Sequence, residues 1–292
     1  MGSVAGKTVF ITGGARGVGA EVARRLHARG AQLVLTDLDE APLAELADAL
    51  GADRVLTRVA DVRDLQAMQE VVDAAVERFG GLDVVMANAG IATYGSVLQV
   101  DPEAFQTLMD VNVTGVFNTV RAALPAVLER RGYVLIVSSL AAYAAAPGLA
   151  PYNASKAAVE HFANALRLEV AHRGVDVGSA HMSWIDTPLV RDTKDDLSTF
   201  GEMLSRLPYP LNQTTSVEQC GQVFVAGIEG RKRHINCPGW VGVLRWLKPV
   251  LSTMVGESRI RGFVPDLLPR MDAEVVRLGR SMGSRTKSVE ER

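Results

Sequence analysis

The sequence has few aromatic residues, few cysteines and no strong excess of either charge. Aromatic residues make up 5% of the 292 residues, and 31 lysines and arginines oppose 33 acidic residues, giving a net charge of −2. We therefore expect no nucleic-acid partner, because such proteins usually carry a basic surface. The two cysteines, Cys220 and Cys237, lack the spacing of a metal site or a disulfide framework. No bound metal is expected.

Long apolar runs are also missing. No run of about 18 apolar residues, the length of a membrane-spanning helix, is present, and we expect no transmembrane helix. The first apolar run, KTVFITGG, is short and leads into a glycine-rich turn, unlike a signal peptide. The expected compartment is cytoplasmic. The hydrophobic content of 48% suits a large core, and the length suits one large domain with an appendage.

Short β-rich runs alternate with helical stretches along the chain. The runs are TVFIT (8–12), QLVLT (32–36), RVLTRVA (54–60), LDVVMA (82–87), YVLIVSS (133–139), VDVGSAHM (175–182) and a weaker run near 233–237. They are almost continuously apolar, which is typical of parallel strands buried on both faces. Strand–helix alternation with right-handed crossovers predicts an α/β fold with a doubly wound parallel sheet.

A glycine-rich turn directly follows the first run. In TGGARGVG (12–19), Gly13, Gly17 and Gly19 allow a tight turn and close approach of backbone N–H groups to a pyrophosphate. The spacing, G-x-x-x-G-x-G, differs from the common G-x-G-x-x-G fingerprint. The turn predicts a dinucleotide site that includes Arg16 and Val18, although an ordinary turn between strand and helix is the alternative.

Asp37, just after the second run, indicates which dinucleotide would bind. A carboxylate there can accept hydrogen bonds from the ribose hydroxyls of NAD and repels the 2′-phosphate of NADP. Leu38, Asp39 and Glu40 follow, and none of them could receive that phosphate. The pattern favours NAD as the cofactor. Arg16 is the opposing signal, because a basic residue in the glycine turn could pair with a 2′-phosphate.

The segment PYNASKAAV (151–159) places Tyr152 four residues before Lys156. On a helix these side chains share one face. An ammonium near a phenol lowers the phenol's pKa from about 10 toward neutral pH, as a general base requires. Taken alone the spacing is a weak signal, because most such pairs lie on solvated helix faces.

Taken together, these motifs resemble the short-chain dehydrogenase/reductase family. The resemblance covers roughly residues 5–190 and rests on ordered motifs: TGGARGVG, ADV (60–62), NAG (88–90), Asn112 in DVNVTG, Ser139 in VSS, and YNASK. The opening segment, with Asp37, looks especially like NAD-dependent bacterial hydroxysteroid dehydrogenases. The resemblance implies a Rossmann fold in a single domain over 1–237.

The resemblance also implies a catalytic group and a cofactor site. Tyr152 would be the general acid/base, and Lys156 would lower its pKa and bind the nicotinamide ribose. Ser139 would hydrogen-bond the substrate oxygen, and Asn112 would hold a water that links Lys156 to solvent. The remaining cofactor contacts are expected from Asp61, Val62, Asn88, Ala89, Gly90, Ile185 and Thr187.

Two stretches depart from the family pattern around the expected substrate pocket. Met182 and Ser183 stand where the family usually has Pro-Gly, so the resemblance does not predict the backbone path beside the nicotinamide. Residues 189–214 correspond to the family's mobile lid. They carry few strong core signals, so we expect a polar lid.

The third departure is a C-terminal helical extension over 238–280, followed by an expected disordered tail over 281–292. Seven basic residues and one acid, Glu257, occur over 231–261, where the chain is also apolar. We expect a helical flap that packs over the substrate pocket or against a neighbouring subunit. The alternative is a peripheral membrane contact through 238–262.

The expected function is an NAD-dependent alcohol dehydrogenase or ketone reductase. Its substrate would be a hydrophobic, steroid- or lipid-like secondary alcohol or ketone. One alternative is an NADP-dependent reductase of acyl-chain ketones, and another is a dinucleotide-sensing protein without turnover. By resemblance we also expect a homo-oligomer, either dimer or tetramer, formed through helices over 112–130 and 152–173.

Overall fold

A seven-stranded parallel sheet forms the centre of the protein, which we describe from a computed structural model over residues 2–283. Its strands are β1 (Thr8–Thr12), β2 (Gln32–Asp37), β3 (Val55–Val59), β4 (Val84–Ala87), β5 (Tyr133–Val137), β6 (Asp176–Met182) and β9 (His234–Cys237). They are ordered β3-β2-β1-β4-β5-β6-β9, and every neighbouring pair is parallel. This confirms the predicted doubly wound sheet.

Helices cover both faces of the sheet. They are α1 (Gly17–Ala28), α2 (Glu40–Leu50), α3 (Leu65–Phe79), α4 (Pro102–Met109), α5 (Gly115–Glu129), α6 (Ala150–Val170), α7 (Pro188–Asp196), α8 (Ser198–Arg206), α9 (Val217–Glu229), α10 (Val241–Leu251) and α11 (Met254–Leu278). The apolar sides of α1, α2 and α9 pack on one face, and those of α3, α5 and α6 on the other. Because both faces are covered, the strands are almost wholly apolar.

The strand order reverses at β1, which pairs with β2 on one side and with β4 on the other. In a doubly wound sheet this reversal opens a crevice at the carboxyl ends of the strands. Gly13 follows β1, Asn88 follows β4 and Ser139 follows β5, so three predicted site segments meet at this crevice.

The helical segment over 102–129 is unusually apolar. Its mean hydropathy of 1.2 would suit a membrane span by length and composition, yet 61% of the apolar window is buried inside the protein. Val116, Val120 and Ala123 pack into the core beneath the sheet. This segment therefore belongs to the core, and one π-helical turn, Asp110–Thr114, lies between α4 and α5.

A small parallel pair, β7 (Trp184–Ile185) and β8 (Thr214–Thr215), flanks the two lid helices α7 and α8. The extension adds α10 and α11, and α11 packs against α8. The chain then returns to the loop after β4, where Met282 forms a bridge with Thr93 and Tyr94 N–H donates to the Ser281 carbonyl at 2.9 Å. The predicted tail boundary at 281 is therefore wrong for 281–283, since Ser281 and Met282 are buried. Residues 284–292 lie outside the described part of the chain.

Candidate active site

The glycine turn between β1 and α1 is built for close backbone approach. Gly13 and Gly17 have φ values of 63° and 54°, in the left-handed region that favours glycine. A Cβ at Gly13 would lie 2.9 Å from the Cα of Ala89, so no larger residue fits there. Gly19 differs from the other two. A Cβ there would lie 2.2 Å from the Gly13 carbonyl oxygen, so Gly19 packs the helix against the turn and does not line the groove.

Asp37 connects this turn to the end of β2. Its carboxylate accepts hydrogen bonds from the N–H groups of Ala15 at 3.0 Å and Asp39 at 3.2 Å. Burial raises the pKa of Asp37, and these backbone hydrogen bonds act in the opposite direction. Arg16 forms an ion pair with Asp39 at 3.3 Å. The arginine that could favour a 2′-phosphate is thus already engaged by a carboxylate.

The floor of the crevice is formed by the residues after β3 and β4. The Asn88 amide donates to the carbonyl oxygens of Thr12 and Gly13, both at 3.0 Å, and so joins the ends of β1 and β4. Asp61 pairs with Arg63 at 2.6 Å. The cavity surface over this region includes Asp61, Val62, Asn88, Ala89 and Gly90.

Ser139, Tyr152 and Lys156 lie together at the inner end of the crevice. All three line the same cavity, and Ser139 and Lys156 are 8% and 4% exposed. The Lys156 ammonium donates to the Val137 carbonyl oxygen at 3.2 Å and lies 5.6 Å from the centre of the Tyr152 ring. The Ser139 hydroxyl accepts the N–H of Ala141 at 3.1 Å, which fixes its rotamer.

Burial dominates the titration of this group. It raises the pKa of Tyr152, and a hydrogen bond from Ser139 acts in the opposite direction. It also lowers the pKa of Lys156 to about 8. The expected lowering of the Tyr152 pKa is therefore not found in the protein chain by itself, because desolvation of the phenolate outweighs the favourable contacts.

Asn112 lies one layer behind these side chains, in the π-helical turn. It is fully buried, and its amide accepts the Ile91 N–H at 2.8 Å and donates to the Ile91 carbonyl at 2.9 Å and the Ser155 hydroxyl at 3.0 Å. A Cβ at Gly90 would lie 3.2 Å from Asn112 Oδ1 and 3.3 Å from Lys156 Nζ. Asn112 thus adjoins Lys156 without lining the cavity.

The segment after β6 keeps to an extended path without Pro-Gly. Met182 ends β6, and the Ser183 N–H donates to the Cys237 carbonyl oxygen at 2.9 Å. Ile185 is buried at the cavity edge, and the Thr187 hydroxyl caps the first turn of α7 by accepting the Val190 N–H. The structure therefore brings Ile185 and Thr187 to the crevice as expected.

The cavity measures about 420 Å³ and continues past Ser139 and Tyr152 into an apolar chamber. The chamber is walled by Ala146, Leu149, Trp184, Phe200, Met203, Leu207, Leu211 and Ile260. The prediction of a polar lid is wrong, because α8 turns an apolar side inward. The sequence feature that indicates this apolar side is the helical spacing of Leu197, Phe200, Leu204 and Leu207, which is typical of a buried helix face.

The extension contributes less of this wall than expected. Ile260 of α11 reaches the cavity, whereas Phe263, Leu267 and Met271 pack behind the lid. Helix α10 buries Val241 against Leu140 and Tyr143, and Val241 itself does not line the cavity.

His181 is a further buried residue at the site, for which the sequence gives only a weak signal. It lies on β6, is fully buried, and stacks on Tyr143 with ring centres 4.4 Å apart. Its Nδ1 faces the Ser139 carbonyl oxygen at 3.2 Å. A polar residue within an apolar strand was the only clue.

The residues of the crevice fit a nicotinamide dinucleotide. The glycine turn leaves room that a Cβ would fill, and a carboxylate stands at the ribose end. Two buried hydroxyls lining the groove, those of Thr36 and Ser183, have no hydrogen-bond partner among residues 2–283. Bound polar groups are the usual partners of such atoms. Over the same residues no group of three or more His, Cys, Asp or Glu is placed to hold a metal ion.

Fold and site together define a dinucleotide-dependent oxidoreductase of the doubly wound α/β class. The chain belongs to the short-chain dehydrogenase family, whose model matches residues 7–198. Its relatives include an uncharacterized NAD-dependent oxidoreductase of Mycobacterium tuberculosis, 35% identical over 65% of this chain and 75% of that protein. Another is 11-beta-hydroxysteroid dehydrogenase-like 6 of Arabidopsis thaliana, 33% identical over 86% of this chain and 75% of that one.

Solved structures show the same fold. A short-chain dehydrogenase/reductase from Burkholderia phymatum in complex with NAD superposes with a TM-score of 0.74 at 24% identity, covering 84% of this chain and 94% of that one. The 3-ketoacyl-(acyl-carrier-protein) reductase from Brucella melitensis complexed with NADH gives 0.72 at 27% identity, covering 80% and 97%. The protein is thus an NAD(P)-dependent oxidoreductase of this family.

Proposed function

We propose that the protein oxidises a hydrophobic secondary alcohol, or reduces the corresponding ketone, with NAD(H). The observation that carries this proposal is the position of Ser139 and Tyr152 at the junction of the nucleotide groove and an apolar chamber. A dinucleotide bound in the groove would supply the acceptor or donor of the hydride. The chain itself must then bind the substrate oxygen and move one proton.

The side chains suit those two tasks. In oxidation, the Tyr152 phenolate would take the alcohol proton as the carbonyl forms, and in reduction the phenol would return it. The Ser139 hydroxyl would hydrogen-bond the substrate oxygen, held in place by the Ala141 N–H. Burial lowers the pKa of Lys156, but an ammonium here still favours the phenolate over the phenol.

Four observations support NAD over NADP. Asp37 presents its carboxylate at the ribose end, and Arg16 is paired with Asp39. The Mycobacterium relative is named NAD-dependent, and the Brucella structure contains NADH. A 2′-phosphate would face Asp37 and Asp39 together, which like-charge repulsion disfavours.

The chamber favours a steroid- or lipid-like substrate. Its wall is formed by aromatic and aliphatic side chains of the lid, among them Phe200 and Met203. Such walls bind apolar ligands, while a few polar groups fix their orientation. The name of the Arabidopsis relative, a hydroxysteroid dehydrogenase-like protein, agrees with this class.

A reductase of acyl-chain ketones is the second candidate. The Brucella reductase, at 27% identity and nearly full coverage, favours it, and an apolar chamber would also accept an acyl chain. The two candidates differ in substrate shape and in cofactor. The second candidate uses NADP, so the Brucella structure, which contains NADH, supports its substrate class and not its cofactor.

A panel assay tests the proposal and separates the candidates. Purified protein is incubated with hydroxysteroids, medium-chain secondary alcohols, 3-ketoacyl thioesters and their short analogues, with NAD(H) and NADP(H) in parallel, while nicotinamide absorbance is followed. We expect turnover of bulky apolar alcohols or ketones with NAD(H). Preference for ketoacyl thioesters with NADPH would favour the second candidate. Tight NAD binding by calorimetry, with no turnover of any compound, would support a dinucleotide sensor.

We also propose that the protein is a homo-oligomer. Phe105, Phe117 and Leu168, on α4, α5 and α6, are 42%, 48% and 78% exposed. These helices include the two that the family resemblance pointed to, and exposed apolar residues on them suit a subunit interface. Analytical ultracentrifugation should show a dimer or tetramer that Leu168→Glu weakens, whereas a monomer across the micromolar range would contradict the proposal.

A further inference from the structure

An apolar stripe on the extension faces solvent. Along α10 and the first turn of α11, apolar side chains recur every three or four residues on the exposed side. We call this stripe the elbow patch; it consists of Val243, Trp246, Leu247, Val250, Met254 and Val255. Trp246, Met254 and Val255 are 78%, 75% and 81% exposed. An exposed patch of this kind on a helix usually marks an interaction surface.

The opposite side of α10 attaches the helix to the body of the protein. Val241 is buried against Leu140 and Tyr143, and Lys248 forms an ion pair with Glu160 at 3.0 Å. The helix is therefore held with its apolar stripe outward. The expected flap over the pocket is therefore formed only in part, by α11 through Ile260, and not by α10.

Basic side chains lie beside the elbow patch, Arg245 in direct contact with it and Arg259 a few residues further along α11. The Arg245 guanidinium lies 5.2 Å from the centre of the Trp246 ring, and Arg259 is exposed without an acidic partner among residues 2–283. Burial, and then the charges of Arg245, Arg167 and Arg233, lower the pKa of His234 to about 4. Three arginines thus concentrate positive potential around the β9 histidine, near the base of α10.

The elbow patch also adjoins the substrate chamber. Ile260, which lines the chamber, follows Met254 on the same helix. At about 1.5 Å per residue, the two positions are separated by only about 9 Å along the helix axis. Whatever covers the elbow patch therefore lies close to the apolar end of the cavity.

We propose that the elbow patch docks onto the surface of an anionic lipid membrane. A basic helix with an apolar stripe that contains tryptophan suits the headgroup layer, where the ring and aliphatic chains enter and the arginines meet phosphates. A second copy of the chain fits less well, because a two-fold contact would bring the same arginines against each other. The docking goes beyond the proposed reaction and does not depend on it.

Docking of this kind would bring the chamber beside the lipid layer. For a lipid-like substrate, which rests on the proposed function, the membrane would then be the source from which substrate enters. This consequence is tested separately from docking, because docking is measured without turnover.

Vesicle co-sedimentation of the full-length protein tests the docking. The vesicles contain phosphatidylcholine alone or phosphatidylcholine mixed with phosphatidylserine, and sedimentation is repeated at low and high salt. We expect binding to the mixed vesicles that decreases with salt, and weak binding to phosphatidylcholine alone. Trp246 emission should shift to the blue on binding, and Trp246→Phe should abolish the shift.

Matched variants locate the surface. Trp246→Glu with Met254→Glu should reduce partitioning by tenfold or more, because both exposed side chains would leave the apolar layer. Arg245→Gln with Arg259→Gln should reduce it by on the order of tenfold on anionic vesicles only. Leu98→Glu is the control, since Leu98 is 90% exposed outside the extension, and it should bind as the parent protein does.

Three results would overturn the proposal. The first is equal binding of the parent protein to both vesicle types, and the second is unchanged binding of the Trp246→Glu/Met254→Glu variant. The third is absence of binding by the parent protein to either vesicle type, together with loss in that variant of an oligomer that the parent protein forms. The last result would identify the elbow patch as a contact between copies. Thermal melting of each variant shows whether the fold is retained, and NAD titration checks independently that the nucleotide groove is intact.

Discussion

The Nδ1 atom of His181 lies 3.2 Å from the backbone carbonyl oxygen of Ser139. A carbonyl only accepts hydrogen bonds, so Nδ1 carries the proton and Nε2 must accept from the Ser179 hydroxyl at 3.0 Å. Ser179 in turn faces Nδ1 of His234 at 3.2 Å. Burial lowers the pKa of His181 to about 3, which keeps the ring neutral. A directed chain of hydrogen bonds therefore holds the backbone at Ser139.

We expect His181 to act as a positioning residue. His181→Leu removes the donor to the Ser139 carbonyl and should lower kcat by on the order of tenfold, with the KM for NAD unchanged. His181→Asn can place an amide N–H near the same carbonyl and should recover most of kcat. Steady-state kinetics on a substrate from the panel compares the two. Equal kcat in His181→Leu and the parent protein would refute this role.

Tyr152→Phe should leave the fold and NAD binding intact and lower turnover by on the order of 10²–10⁴, the usual contribution of a positioned acid/base. Tyr143→Phe is the matched control, because the buried Tyr143 hydroxyl has no partner among the described residues and lies outside the cavity. It should keep nearly normal kcat. Kinetics and NAD calorimetry provide the measurements, and near-normal kcat in Tyr152→Phe would refute the assignment.

Because of Lys156, the free energy of unfolding should change with pH in the alkaline range. Burial lowers the pKa of Lys156 from 10.5 to about 8. Between these two pH values Lys156 is protonated in the unfolded chain but has lost its proton in the folded protein. Its contribution to the free energy of unfolding therefore rises with pH across that window. Below about pH 8 both states carry the charge, and its burial destabilises the fold by on the order of 3 kcal/mol.

Lys156→Met removes the charge at similar length, so it should be more stable relative to the parent protein at pH 7 than at pH 10. Melting temperatures of both proteins across this range measure the gap. Contributions of the buried tyrosines largely cancel in the comparison. A gap that stays constant with pH would show that Lys156 is not buried as a cation.

Asp37 should determine cofactor choice. Asp37→Ser with Leu38→Arg removes the repelling carboxylate, keeps an acceptor for the Ala15 N–H and adds a partner for a 2′-phosphate. The ratio of kcat/KM for NADP to that for NAD should rise at least about tenfold, or about 1.4 kcal/mol. Asp53→Ser, in the short turn before β3, is the surface control. A parent protein that already prefers NADP would contradict the assignment and favour a role for Arg16.

The sequence by itself determined the sheet and located the ends of its strands to within about two residues. Nearly continuous apolar runs, as in β1 and β5, can be buried only between two helical layers, so the periodicity was enough to predict a doubly wound fold. Gly13, Asp37 and Ser139 stand at the carboxyl ends of three such runs, and such positions in a parallel sheet meet at the same edge. These are local signals, carried by a few neighbouring residues.

Tertiary structure decided which way each helix faces and what burial does to each charge. The apolar spacing of α8 and that of α10 are alike in sequence, yet Phe200 faces the cavity and Trp246 faces solvent. The pKa of Tyr152 is raised because desolvation depends on atoms from distant segments, which its spacing to Lys156 does not reveal. The partnership of His181 with Ser139 likewise exists only because β5 and β6 are adjacent in the sheet.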